Sequence, residues 1–113
     1  MKLNKHKFVE KSWGYEEWIV NNKLYCGKKL FLKKGYRCSM HKHKKKDETF
    51  WLLSGKVLLE YGGVKIVLEP GDSIRIKPNT LHRFTGIEDS VIIEFSTHHE
   101  DSDSYRLELG GKA

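Results

Sequence analysis

His41 and His43 stand two residues apart, and a carboxylate, Glu48, follows five residues after the second. Glycines close the stretch at both ends, at Gly35 and Gly55. Side chains alternate between faces in an extended strand, so the two imidazoles point the same way. Glu48 opens the next apolar run, and a hairpin between the two segments is expected to bring its carboxylate opposite the imidazoles. Neutral imidazole and carboxylate together suit a divalent first-row metal; ligand type alone leaves zinc, manganese, iron and nickel open. A further imidazole stands at His82, within Lys77-Pro78-Asn79-Thr80-Leu81-His82-Arg83-Phe84.

The elements that must position these groups read as short strands. Glu17–Val20 and Leu24–Leu32 are expected as two strands joined by a tight turn at Asn21-Asn22. Arg37–His43 alternates, Glu48–Leu53 is apolar and aromatic, and Val57–Tyr61 and Val64–Leu68 flank a Gly62-Gly63 turn. Ser73–Lys77, Leu81–Thr85 and Val91–Ser96 follow, and Tyr105–Leu109 is expected as a last edge strand. No window sustains a helical period, and turn signals recur every several residues. The pattern predicts an all-β sandwich or barrel. The aromatic-rich stretch from Phe8 to Trp18 reads as an arm leading into the first strand.

With 113 residues, the chain has room for one domain and a real core. Residues 1–16 are expected as the arm, 17–97 as the barrel and 98–113 as a tail or edge strand. Apolar residues make up 38% and aromatics 12%, which fits an ordinary globular protein. No apolar run is long enough to cross a bilayer and the start lacks an apolar signal region, so no membrane association is expected and the expected compartment is the cytoplasm. There Cys26 and Cys38 are expected to stay reduced. The formal charge of +6 raises nucleic acid as a partner, but no recognisable binding element carries the lysines, and none is expected. Lys44-Lys45-Lys46 reads as a solvated loop, or as a positive rim that attracts an anionic substrate.

The spacing Gly35-x5-His41-x-His43-x4-Glu48-x6-Gly55 resembles the first cupin motif at every spaced position. Gly71-Asp72 and Pro78 through His82 are similar to the second motif. Lys77 stands there for a usual proline, Asn79 for a glycine and Gly86 for an asparagine. Asparagine tolerates left-handed backbone better than most residues, so the turn before His82 survives the change. The resemblance implies a double-stranded β-helix, the jelly-roll cupin barrel, with His41, His43, Glu48 and His82 binding one divalent metal ion inside it. It also implies pairing of two copies as a homodimer, with the aromatic N-terminal arm as a candidate contact.

A narrower resemblance runs nearly end to end. Ser12-Trp13-Gly14-Tyr15-Glu16, Leu53-Ser54-Gly55-Lys56, Leu81-His82-Arg83 and Tyr105-Arg106-Leu107-Glu108 are similar to the cupin domain of type II phosphomannose isomerases. That branch often carries glutamine where this chain has His41. The resemblance implies a metal-dependent isomerase whose small-molecule substrate is a sugar or sugar phosphate. Non-catalytic metal or sugar binding and iron-dependent dioxygenation are the alternatives for the same donors. Period two places Arg37 and Ser39 on the face of His41 and His43, where Arg37 could meet a phosphate or developing oxyanion. Arg106 and Glu108 carry over from the terminal motif as pocket residues. Phe50, Leu52 and Phe84 are expected on the same faces as the ligands, His6, His98 and His99 at the surface. No residue stands out as the base that would move a proton between carbons.

Overall fold

Short alternating runs broken by glycine, asparagine and proline leave this chain no place for a long helix. The computed structural model, which describes residues 1–113, contains only a single 3-10 turn at Asp101–Asp103. The rest is strand and connection. In order these are β1 (Lys7–Lys11), β2 (Gly14–Asn21), β3 (Cys26–Leu32), β4 (Tyr36–Arg37), β5 (Met40–His43), β6 (Glu48–Ser54) and β7 (Val57–Tyr61). Then come β8 (Val64–Leu68), β9 (Ser73–Ile76), β10 (His82–Gly86), β11 (Ser90–Ser96), β12 (Ser104–Glu108) and β13 (Gly111–Lys112). Two antiparallel sheets face each other, one ordered β1-β2-β3-β11-β6-β9 and the other β12-β5-β10-β4-β13 with the β7–β8 hairpin joined through β10. This is the jelly-roll barrel expected from the motifs.

Three expectations about local structure change. The stretch read as a lead-in arm is itself sheet, since β1 pairs with β2 from Lys7↔Trp18 to Lys11↔Gly14. The turn at Asn21-Asn22 is wider than two residues, because the Asn22 carboxamide accepts the N–H groups of Leu24 and Tyr25, both at 2.9 Å. The alternation from Arg37 to His43 breaks at Cys38-Ser39, between β4 and β5. By contrast, Gly62 and Gly63 form the tight hairpin foreseen, with φ of 53° and 84°, and a primed turn requires positive φ at both positions.

The barrel interior divides along its strands. Leu30, Leu32, Phe50, Leu52, Val57, Leu59, Phe84 and Ile92 belong to one buried apolar cluster. Leu52, Val57 and Leu59 are wholly buried, each contributing about 1.5–3 kcal/mol of transfer free energy. Two residues further along the same inward faces the chemistry changes: Lys28 precedes Leu30 in β3, Glu94 follows Ile92 in β11, and Glu48 precedes Phe50 in β6. One end of the barrel is packed hydrocarbon, and the other holds buried charge.

Candidate metal centre and cavity

The two histidine segments meet by strand pairing. His82 opens β10 and is the register partner of His41 in β5. The turn before His82 turns on Asn79, which has φ of 66°, the left-handed value its substitution for glycine requires. The Asn79 N–H also bonds to the His43 carbonyl, tying the second motif to the first. Glu48 arrives differently from the expectation. β5 and β6 lie in opposite sheets, so there is no hairpin between them, and Glu48 faces the imidazoles across the interior.

One nitrogen from each of His41, His43 and His82 lies within 4.8 Å of the others. Each ring places Nδ1 against a backbone carbonyl: Ser39 at 2.7 Å for His41, Asp103 at 3.2 Å for His43, Thr80 at 2.9 Å for His82. A carbonyl can only accept, so each Nδ1 carries the proton and each Nε2 keeps its lone pair. Glu48 completes the set, its Oε1 3.6 Å from His43 Nε2 and its Oε2 3.4 Å from His82 Nε2. Both His82 Nε2 and Glu48 Oε2 are buried without a hydrogen-bond partner. Leaving such atoms unpaired costs about 1–3 kcal/mol each, and a cation between them would satisfy both. The donor set fits a divalent metal.

The protonation states agree. Burial, then the nearby His82, pushes His41 down to about 3, and burial with Lys46 also lowers His43 against the pull of Glu48. Both are therefore neutral at neutral pH. Burial alone would raise Glu48, but the Lys46 ammonium, 3.0 Å from Oε1, holds it well below the usual carboxylate range.

Lys46 is not in a solvated loop. Its side chain is 2% exposed, with Nζ 2.7 Å from Glu94 Oε2, 3.0 Å from Glu48 Oε1 and 2.9 Å from His99 Nδ1. Those three acceptors take all three ammonium protons. Burial would lower its pKa, but the carboxylates of Glu94 and Glu48 raise it further, so it stays charged. The loop turns inward because the buried Asp103 carboxylate accepts the backbone N–H groups of Lys44, Lys45 and Lys46 at 3.0–3.2 Å. His99, expected at the surface, is part of the same network and lines the cavity, whereas His6 and His98 bond at the exterior.

A cavity of about 320 Å³ opens onto this centre. His41, His43, Glu48 and His82 line it together with Lys46 and Glu94. Phe50 and Phe84 wall it, while Leu52 packs in the core. Arg106 lines it from β12, directly opposite His41 in register. Arg37 does not line it: the break at Cys38-Ser39 takes Arg37 out of phase with the histidines, and it pairs with Thr85 and Gly111 instead. Glu108 faces away and meets Arg83 at 3.6 Å. Cys38 lines the cavity as a free thiol that burial pushes up to about 11, and Cys26 is likewise free.

Fold and site together define a small jelly-roll barrel built around a three-histidine, one-carboxylate centre. The chain belongs to the cupin domain family (Cupin_2), whose profile matches residues 30–99. It is 36% identical over 110 residues to D-lyxose/D-mannose isomerase of Thermosediminibacter oceani, covering 73% of this chain and 61% of that protein. It is 33% identical over 110 residues to D-lyxose ketol-isomerase of a Thermofilum species, with the same coverage, 73% and 61%. The chain thus spans about three-fifths of the length of these curated relatives. An RmlC-like cupin from Shewanella frigidimarina superposes with a TM-score of 0.78 at 17% identity, covering 87% of this chain and 88% of that one. That likeness shares the fold.

Proposed function

We propose that this chain is a metal-dependent aldose–ketose isomerase acting on a small sugar. The observation that carries the reading is the pair of orphaned donors, His82 Nε2 and Glu48 Oε2, on residues that line the same cavity as His41 and His43. The two isomerase relatives support the reaction class and point to an unphosphorylated aldose such as D-lyxose or D-mannose. A bound divalent ion would hold adjacent sugar oxygens and polarise the carbonyl, which eases removal of the neighbouring proton.

The chain's own residues do the rest. The three carbonyl-anchored imidazoles and Glu48 hold the centre in place, and Lys46 fixes the Glu48 carboxylate by occupying Oε1. Phe50 and Phe84 keep the inner wall apolar. A phosphate, as the resemblance to phosphomannose isomerases implies, would need a cation not already paired. Lys11 and Arg106 are the lining cations with no carboxylate within 4.0 Å, and of these Arg106 lies beside His41. Arg106 is therefore the proposed anchor for a phosphate or for sugar hydroxyls. A homodimer is proposed to form through the exterior aromatic row Phe8, Tyr15 and Phe31, which begins on the edge strand β1 and is checked by sedimentation equilibrium.

The test is incubation of the metal-loaded protein with D-lyxose and D-mannose, unphosphorylated and phosphorylated, in deuterium oxide. Ketose formation with deuterium at carbon 2 of the recovered aldose supports the reading. Full metal occupancy without turnover across the panel refutes it.

A further inference from the structure

The isomerase reading needs a base near the metal centre, and the sequence names none. Six charged or titratable groups of the polar end compete for that role, and the first, Lys28, is a cation held over the Trp18 ring and against Glu16. Lys46 is a cation with every proton committed. His99 has Nδ1 engaged by Lys46 and donates Nε2–H to Asp101 at 2.9 Å, so neither nitrogen is free to accept. Asp101 has a side chain 87% exposed. Glu16 spends one oxygen on the Trp18 indole at 2.8 Å and on Lys28 at 3.6 Å, and it makes no contact with the Lys46–Glu48 pair.

Glu94 is the carboxylate that Lys46 joins to Glu48. Its inward position in β11 makes it 3% exposed, and it lines the cavity. Both of its polar contacts fall on one oxygen: Oε2 accepts from Lys46 Nζ at 2.7 Å and from Ser96 Oγ at 2.8 Å. Oε1 carries neither of these contacts, and the residue lines the cavity. The same Lys46 ammonium that holds Glu94 Oε2 holds Glu48 Oε1. Glu94 is thus locked two hydrogen bonds from the Glu48 carboxylate, with Oε1 left over on a residue that lines the cavity.

We propose, on the isomerase reading above, that Glu94 is the general base, acting through Oε1. The carboxylate takes the proton from carbon 2 of the open-chain aldose. The C–H electron pair becomes the new C1=C2 double bond, and the carbonyl electron pair moves onto O1. The proton of the 2-hydroxyl passes to O1, the O2 electron pair forms the ketone, and Glu94 returns its proton to carbon 1. The net change is aldose to ketose, with Glu94 regenerated as carboxylate. Lys46 and Ser96 act as positioning residues that keep Oε2 occupied and Oε1 aimed.

The experiment compares wild type, Glu94→Gln and Glu94→Asp, with metal content, melting temperature and deuterium incorporation from solvent measured on each. A general base contributes ~10²–10⁴-fold, so Glu94→Gln should lose that much in kcat with KM and metal content close to wild type. Glu94→Asp should recover part of the exchange. A Glu94→Gln protein that isomerises within a few fold of wild type overturns the assignment while leaving the isomerase standing. If Glu94→Gln loses its metal, Glu94→Asp decides, and restored metal without restored exchange overturns the base. A wild type that forms ketose without any exchange overturns the base alone, and one that forms no ketose across the sugar panel overturns the isomerase reading and the base with it.

Discussion

His41 and His82 are register partners across the β5–β10 ladder, with ring centroids 4.4 Å apart. Forty residues of chain lie between them, and one antiparallel pairing removes that separation. Directly paired residues hold their side chains about 5 Å apart on one face of a sheet. The centre is therefore set by strand register rather than by a flexible loop.

Removing any of the proposed ligands should abolish metal binding there. His43→Ala, Glu48→Ala and His82→Ala are each expected to lose metal at least as severely as the 10–100-fold typical of outer partners, read as metal per chain by mass spectrometry. Full metal content in Glu48→Ala would mean that the carboxylate is not a ligand.

Lys46→Met should destabilise the fold as well as the site. It leaves Glu48 and Glu94 facing each other without the cation that joins them. Breaking a buried ion pair costs about 3–5 kcal/mol, to be read from denaturant midpoints of the metal-free protein. A change under 1 kcal/mol would place Lys46 in water.

The metal-free protein should lose stability as pH falls from about 6.5 toward 4. His41 has its pKa lowered to about 3 in the folded state, and His43 is lowered too. The unfolded chain therefore binds protons in this window that the folded chain refuses, and the linkage favours unfolding. Glu48, also held low, adds to the loss at the acid end of the window. Melting temperature against pH checks the sign, and a rise on acidification would contradict it.

Arg106→Ala should raise KM, and more for a phosphorylated sugar than for its unphosphorylated form, with kcat changed less. Arg37→Ala, at a residue outside the cavity wall, should move neither. Isothermal titration with both sugars separates the two arginines.

The histidines were legible because period two is a property of any strand, and β5 is one. Glu48 and His82 were legible through spacing, and Asn79 through its tolerance of positive φ. The interior network around them was not. A lysine in a Lys-Lys-Lys run reads as solvated, and only Asp103, 57 residues on from Lys46, turns that run inward. His99 was missed for the same reason, since its partner Lys46 lies 53 residues away. Arg37 was placed on the histidine face by counting in twos, and the count fails where two residues between β4 and β5 leave the ladder. Strand periodicity is local information, whereas a buried ionic network depends on which distant loops close over it.

The most direct test of the account is solvent exchange with and without metal on one preparation. Chelator-stripped and metal-reloaded protein are each incubated with D-lyxose in deuterium oxide and followed by proton NMR. Near one metal per chain is expected after reloading, with loss of the carbon 2 proton signal only in the reloaded sample. Equal exchange in both samples, or a reloaded protein that never exchanges that proton, would contradict it.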